Sequence, residues 1–319
     1  MRRRVLFVAL PAAFLAGRAK AQSSPPAIPL DLVSYSSQTL SGTAAQRFAD
    51  NAAALFPGAF QIKVIEQPPV LPLTAIGKAS ALASYYAPAF ADEERVLGLS
   101  AVPMLAAGFD EAEALLRAAR PAYAAALARH GQVLLAVEPW RPAALWSTFR
   151  LRSAADLRGA RFALDSTPYN GAGWAELFGR LGAERAVYGD AEVLLSGGYM
   201  PSPVLAREFA CLTEVFFAQQ LTFLTANRAM FESLSEARRE ALVAIARATE
   251  AELWREIRTF VRRDQQAVAR QGVVVSAAPP ADLLAALHEA AEPDVRRWAD
   301  ATGPEGATLV ADYRRAIGF

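Results

Sequence analysis

The chain has 319 residues, 53 % of them hydrophobic and 20 % charged, with 33 Lys and Arg against 32 Asp and Glu. That length exceeds one small core and fits two lobes, and the composition excludes a disordered chain. The near-balanced charge, with no basic stripe, excludes a nucleic-acid binder, and the single cysteine, Cys211, excludes an internal disulfide.

The chain opens with Arg2, Arg3 and Arg4, an apolar run over residues 5–16, and Ala19-Lys20-Ala21. This pattern reads as a secretory signal peptide, residues 1–21, cut after Ala21. The run is too short to span a bilayer, which takes ~20 apolar residues, and no later stretch does better. The expectation is a mature chain exported to the periplasm without stable membrane insertion. Five basic residues leave with the signal, so 28 basic and 32 acidic side chains remain, a net charge of −4. Cys211 lies in an apolar stretch and reads as a small buried hydrophobe.

Residues 22–29 form a Ser/Pro/Ala leader. Residues 30–35 alternate and predict a first strand; a polar turn over 36–41 and a helix over 43–55 follow, with Ala45, Phe48, Ala49 and Ala52 on one face. Phe60, Ile62 and Val64 mark a second strand, 74–79 a short helix and 81–86 a third strand. That order implies a parallel sheet with right-handed crossovers. An Ala-rich helix or helix pair broken at Pro121 spans 110–130, then a buried strand 133–137 and a strand-like stretch 140–149. Ser153 caps a short turn with Asp156 three residues on, ahead of a strand over 161–164. A second alternating unit follows: helix 172–181, strand 186–188 and helix 190–195. The apolar stretch 210–226 reads as strands that return the chain to the first lobe. Ser233-Leu234-Ser235-Glu236 resembles a capping box, and the helix after it, about 236–271, would reach roughly 50 Å, longer than one lobe. A closing strand over 273–275 and a helix over 281–301 complete the reading.

Chemistry-bearing patterns are scarce. The two histidines, His130 and His288, lie far apart in helical stretches and read as surface or capping residues, so no metal site is expected. No Gly-x-Ser-x-Gly elbow or phosphate loop occurs, and Gly171-Ala172-Gly173 lacks the third glycine of a dinucleotide fingerprint. Glu93-Glu94 reads as solvated charge. With no nucleophile, base or cofactor cradle, the expectation is a protein that is not an enzyme and uses no cofactor.

Five segments, in order, carry a resemblance. They are 48–64, a helix then a strand; Ile76-Gly77-Lys78-Ala79 leading to Tyr85-Tyr86-Ala87-Pro88; and 153–164 (SAADLRGARFAL). Leu181-Gly182-Ala183 with Glu192-Val193-Leu194-Leu195-Ser196-Gly197 is the fourth, and 224–234, with Asn227, Phe231 and Leu234, the fifth. Together they resemble the TRAP-type (tripartite ATP-independent periplasmic) solute-binding receptors, the DctP-like family. The resemblance implies an α/β, two-lobed periplasmic-binding-protein architecture with a long helix spanning both lobes. It divides the chain into lobe I (27–135 and 216–250) and lobe II (136–215 and 251–319), bridged by the helix of about 236–271. It also implies an interlobe-cleft ligand, usually a small organic acid, bound by hinge closure and handed to a TRAP membrane permease; the chain's departures from the family pattern open the alternative of an aromatic or hydroxylated small molecule. Rival readings are a binding protein of another importer, a sensor component, or an exported two-lobed enzyme.

Ligands in such sheets sit outside the carboxyl ends of strands. The strand after the family's Asp-Leu-Lys-Gly carries an arginine that clamps a carboxylate; at that position this chain has Ala163, with Asp165 two residues on. Arg141 is the first choice to replace the clamp, against a plain surface or core-bridging arginine. Alternatively the ligand lacks a simple carboxylate and an aromatic-rich pocket holds it, each aromatic otherwise being core. Asp165 would meet a hydroxyl or amine, or cap a turn. The candidate ligand-binding residues are Tyr35, Ser37, Tyr85, Tyr86, Trp140, Arg141, Arg161, Asp165, Tyr199, Phe216 and Phe217.

Overall fold

The computed structural model describes residues 26–35, 39–67, 71–165, 171–197 and 200–318. The signal segment, Ser37 and Tyr199 lie outside the described residues. The chain opens with β1 (Ile28–Ser34), α1 (Leu40–Leu55), β2 (Phe60–Glu66), α2 (Leu73–Ala79) and β3 (Leu82–Tyr86). β1 lies between β2 and β3 and runs parallel to both, as the alternating order requires. Leu30, Leu32 and Phe60 meet Ala45 and Phe48 of α1 in one buried cluster, so the period-2 and period-3.6 apolar patterns close on each other.

α3 (Phe109–Arg129) then leads to β4 (Gln132–Pro139). Pro121 does not split this helix. Proline removes one ladder hydrogen bond, but Leu115, Leu116, Ala119, Tyr123 and Leu127 bury the helix against the first sheet on both sides of it. The second sheet gathers β5 (Ala144–Ser147), β6 (Arg161–Leu164), α4 (Gly171–Arg180), β7 (Glu184–Arg185), β8 (Val193–Ser196), α5 (Ser202–Leu205) and β9 (Cys211–Thr213). β10 (Leu221–Asn227) returns to the first sheet, α6 (Arg228–Ser233) and α7 (Glu236–Arg270) follow, and β11 (Val274–Ser276) joins the second sheet. α8 (Ala281–Thr302) and α9 (Pro304–Ile317) end the fold.

The strand orders are β2-β1-β3-β10-β4 and β11-β9-β5-β8-β6-β7. Neither sheet is wholly parallel: β10 runs against β3 and β4, and β5 runs against β8 and β9. Those two strands follow directly on a strand of the other sheet, whereas β11, reached through α7, is parallel to β9.

Several expectations need correction. The stretch read as helix 190–195 holds the strand β8, whose four residues are all buried. A strand covered on both faces shows a continuous apolar run, which periodicity cannot tell from a buried helix. The strand expected at 186–188 is instead the two-residue β7, followed by a 3-10 turn at Tyr188–Asp190. The stretch 140–149 shortens to β5 because Trp140 to Ala143 is spent crossing between sheets. Ser153 does start a turn, its N–H donating to Asp156 Oδ2 at 2.9 Å. The second capping box fails: α7 has Ser235 at its N-cap with no side-chain cap bond, and Ser233 donates to the Met230 carbonyl instead. α9 has no counterpart in the sequence reading.

α7 is 35 residues long, about 50 Å at 1.5 Å per residue. Its first half buries Leu242, Ile245 and Ala246 on the first sheet. Mid-helix, Trp254 Nε1 donates to the Val137 carbonyl at 3.2 Å, and Glu250 Oε2 accepts from Val137 N at 2.7 Å. Val268, near its end, lies in the core of the second sheet with Trp146 and Leu212. α8 divides similarly: Leu283, Leu287 and Ala290 pack with the second sheet, Val295 with the first. α9 buries Val310 and Tyr313 against α3 and the first-sheet core. Among the described residues no helix is long and apolar enough to cross a membrane.

Gln132 ties four elements of the first lobe together. It is buried; its Oε1 accepts from Tyr85 Oη at 2.9 Å and Thr225 Oγ1 at 2.7 Å, and its Nε2 donates to the Leu73 carbonyl at 2.7 Å. Gln132→Leu leaves two hydroxyls and a carbonyl without these partners, at about 1–3 kcal/mol each. Urea unfolding is expected to show a loss of about 3 kcal/mol or more, and adding Tyr85→Phe and Thr225→Val is expected to restore part of it.

Candidate ligand-binding cleft

β1, β3 and β4 bring their carboxyl ends to Ser34, Tyr86 and Pro139; β6, β8 and β9 bring theirs to Leu164, Ser196 and Thr213. The chain leaves the first sheet from the end of β4 and the second from the end of β9. Both sheets therefore turn these ends toward the same crossing, the position where ligands bind in such sheets. The two crossing segments pair as a ribbon: Trp140 N donates to Gln220 O at 2.9 Å, Ala143 N to Ala218 O at 3.1 Å, and Phe217 N to Ala143 O at 2.9 Å. The Gln219 side chain adds a bond from Nε2 to the Trp140 carbonyl.

On the first-sheet side, Tyr35 Oη accepts from Tyr86 N at 3.2 Å, and the Tyr86 and Trp140 rings lie 5.0 Å apart at 50°. Trp140 Nε1 donates to Thr222 Oγ1 at 2.7 Å, which holds the half-buried indole across the strand ends. On the second-sheet side, Asp165 is buried at the end of β6; it accepts from Ser196 Oγ at 2.6 Å, and its N–H donates to Leu195 O at 3.0 Å. Gln220 reaches from the returning segment to the end of β8. A Cβ on Gly197 would lie 2.9 Å from Gln220 Oε1, so a side chain there would have to displace the amide. Gln220 is 0 % exposed, and neither Nε2 nor Oε1 has a hydrogen-bond partner among the described residues. Nearby, burial first, then the carboxylates of Glu208 and Asp165, push the Tyr188 hydroxyl up to about 12, so it stays protonated at neutral pH.

Arg141 is 3 % exposed and held from three directions. Nη1 lies 3.1 Å from Asp264 Oδ2 of α7 and donates to Ser202 Oγ at 2.6 Å; Nη2 donates to Glu214 Oε1 at 3.2 Å. Ser202 Oγ in turn donates to Asp264 Oδ2 at 2.7 Å. One guanidinium thus joins the outgoing crossing, the returning crossing, α5 and the long helix.

No family model matches the sequence, and no curated protein does. Solved structures do. DctP7 of Bordetella pertussis, an extracytoplasmic solute receptor binding pyroglutamic acid, is 23 % identical with a TM-score of 0.73, over 90 % of this chain and 100 % of that one. The ectoine-binding protein TeaA of the TeaABC TRAP transporter is 15 % identical with a TM-score of 0.77, over 90 % and 98 %. A TRAP periplasmic solute-binding protein from Rhodobacter sphaeroides is 13 % identical with a TM-score of 0.78, over 91 % and 99 %. This chain has the TRAP solute-receptor fold. The resemblance carried by the five sequence segments holds at that level, as does the α/β two-lobed architecture with its spanning helix.

Within that receptor fold, the structure gathers Tyr35, Tyr86, Trp140 and Asp165 around the crossing. Tyr85 faces away into the first-lobe core, its ring 5.0 Å from Phe90. Phe217 fills the second-lobe core against Trp174 and Phe178. Phe216, at φ 48°, packs edge-on against Phe109 behind the ribbon. Arg161 stands at the opposite end of β6, exposed, donating from Nε to the Asp190 carbonyl and pairing with Glu192. Ala163 is a small residue in the β6 ladder opposite Leu194, where the core holds Trp146. Gln219, Gln220, Glu214, Ser196, Ser202 and Asp264 were not foreseen. The polar pair Gln219-Gln220 inside the apolar run 210–226 was the available signal for two of them. His130 caps α3, with Nε2 2.9 Å from Glu94 Oε1 and Nδ1 2.8 Å from Thr74 Oγ1, so Glu94 is not merely solvated. Among the described residues no group of three His, Cys, Asp or Glu could hold a metal ion.

Removing the Arg141 charge leaves two carboxylates facing an apolar replacement. Arg141→Met is expected to lower unfolding stability by about 3–5 kcal/mol, the range for breaking a buried pair. The triple variant with Glu214→Gln and Asp264→Asn is expected to recover most of it. Denaturant titration of the three proteins distinguishes this strut from a surface arginine, whose loss would cost under about 1 kcal/mol.

Proposed function

We propose that this chain is an extracytoplasmic solute-binding receptor of a TRAP transporter. It binds one small organic molecule between its lobes, closes on it, and delivers it to a membrane permease from the periplasm. The observation that carries this reading is the pair of carboxyl strand edges turned toward each other across a two-segment ribbon, with buried polar groups from both sheets at the crossing. Ligand contacts that exist only when the lobes meet shift such a hinge toward its closed state. Gln220 is placed for that role, because it belongs to the segment entering the first sheet while its amide lies at the end of β8 in the second.

In this reading lobe I holds 27–135 and 216–250, lobe II holds 136–215 and the end of α7, and the helix of about 236–271 bridges them. α9 is grouped with lobe I because Val310 and Tyr313 pack there. The named ligands of similar structures, pyroglutamic acid, ectoine and (S)-2-acetolactate, support a small polar organic solute. The reading assigns the cleft binding and closure rather than bond breaking. Arg141 braces the hinge, and Tyr35, Tyr86, Trp140 and Asp165 line the ligand's side.

Thermal melting against a small-molecule library, with small-angle scattering on each hit, tests closure. A true ligand is expected to raise the melting temperature, by an amount that corresponds to about 2.7 kcal/mol at a hundredfold excess over Kd, and to shrink the radius of gyration. Trp140→Ala is expected to weaken that ligand at least about tenfold while leaving the melting temperature of the free protein nearly unchanged. Binding without compaction, or compaction that survives a Trp140→Ala, Gln220→Ala double variant, would count against the cleft.

A further inference from the structure

The polar groups at the crossing narrow the class of ligand, an inference that rests on the receptor reading above. A carboxylate taken out of water is held most strongly by a cation that faces it. Among the described residues Arg141 is the only buried cation. Its two terminal nitrogens are engaged by Asp264, Ser202 and Glu214 while Nε has no partner among the described residues, and with two carboxylates already on the guanidinium an incoming carboxylate would bring a third acidic group to one cation. The stretches of sequence that follow β1, β6 and β8, residues 36–38, 166–170 and 198–199, contain neither Lys nor Arg. The position two residues before Asp165 is Ala163, buried in the sheet.

What the crossing does offer is acceptors and one neutral amide. Asp165 brings a buried carboxyl group to the end of β6. Gln219 Oε1 is buried with no hydrogen-bond partner among the described residues, and its Nε2 is spent on the Trp140 carbonyl. Gln220 is wholly buried with both ends of its amide unbonded among them. Buried amides in folded proteins are bonded to something, and here no described residue supplies the bond. A carboxamide presents a planar donor and acceptor edge, which matches another amide or a pair of hydroxyls. A carboxylate placed here would lose its hydration beside the Asp165 carboxyl and the Gln219 acceptor, with no buried cation among the described residues free of carboxylates to offset that loss.

We propose that the cleft selects a small solute without a carboxylate, a neutral or cationic amide or polyol. It turns N–H or O–H donors to Asp165 and Gln219 and an amide-like edge to Gln220, beside the Trp140 ring.

Matched probes test this. Pyroglutamate and its carboxamide, L-malate and its diamide, and the polyols glycerol and myo-inositol are titrated into the full chain by calorimetry at pH 7, with scattering to read closure. The expected result is closure on an amide or polyol, with any acid partner at least about tenfold weaker. Gln220→Ala and the isosteric Gln220→Glu are each expected to weaken the bound probe at least about tenfold, with melting and circular dichroism showing that both variants fold. An acid that binds more tightly than its amide and closes the lobes overturns the ligand class while leaving the receptor reading standing. No binding or closure with any probe overturns both. An amide or polyol that binds equally well to the wild type and both folded variants overturns the role given to Gln220.

Discussion

Two stretches of backbone, Trp140 to Ala143 and Glu214 to Gln220, carry the chain between sheets, and they must leave from carboxyl ends of strands. A strand that exits one sheet and runs straight into another enters it against the direction of its neighbours. That is why β5 and β10 are the antiparallel strands of otherwise parallel sheets. The same geometry turns the carboxyl ends of the parallel strands toward the crossing. The cleft is therefore a consequence of the connectivity, and the side chains that reach it are those on the last residue of a strand or the first residue past it. Asp165, Ser196, Tyr35 and Tyr86 all occupy such positions.

The ribbon needs something to hold it against the rest of the molecule, and a buried charge cluster does so. Arg141 sits on the outgoing segment, Glu214 on the returning one and Asp264 on α7. Taking three charges out of water costs much of what their attraction returns, so such a cluster adds less to net stability than to the choice of one arrangement. The 5.9 Å approach of the guanidinium to the Trp146 ring ties it further to the second-sheet core. α7 then works as a strut between two cores, apolar contacts fixing Leu242 and Ile245 in one and Val268 in the other. α8 and α9 brace the molecule similarly, since α8 carries Leu287 in one core and Val295 in the other.

The ribbon is anchored in the second-lobe core through Ala143, Phe217 and Ala218. Met104 and Phe216 hold left-handed backbone next to it, at φ 53° and 48°, linked through the bond from Met104 N to Phe217 O at 2.7 Å. Neither residue favours that conformation, and each is kept there by packing, Phe216 against Phe109 and Met104 in the second-lobe core. Local strain thus sits beside the segments that, in the proposed receptor reading, rotate to open or close the lobes.

The sequence by itself determined the amphipathic elements. Residues 30–35, 43–55 and 60–65 announce a β-α-β start because each must bury one face, and an apolar period of two or 3.6 is that requirement written in order. The long helix was legible for the same reason, and the missing cation at Ala163 could be read by counting along one strand. Tertiary structure alone decided the rest. β8 is covered on both faces, so Val193 to Ser196 carry no period to read. Whether Tyr85 or Tyr86 faces the cleft depends on which side of β3 is core. Arg141 looked like a ligand clamp because its partners, Glu214 and Asp264, lie 73 and 123 positions away in the chain. Charge pairing acts over a few ångströms of space and leaves no periodic trace along the sequence, so only the folded chain could show that this arginine is already engaged and that Gln220 is not.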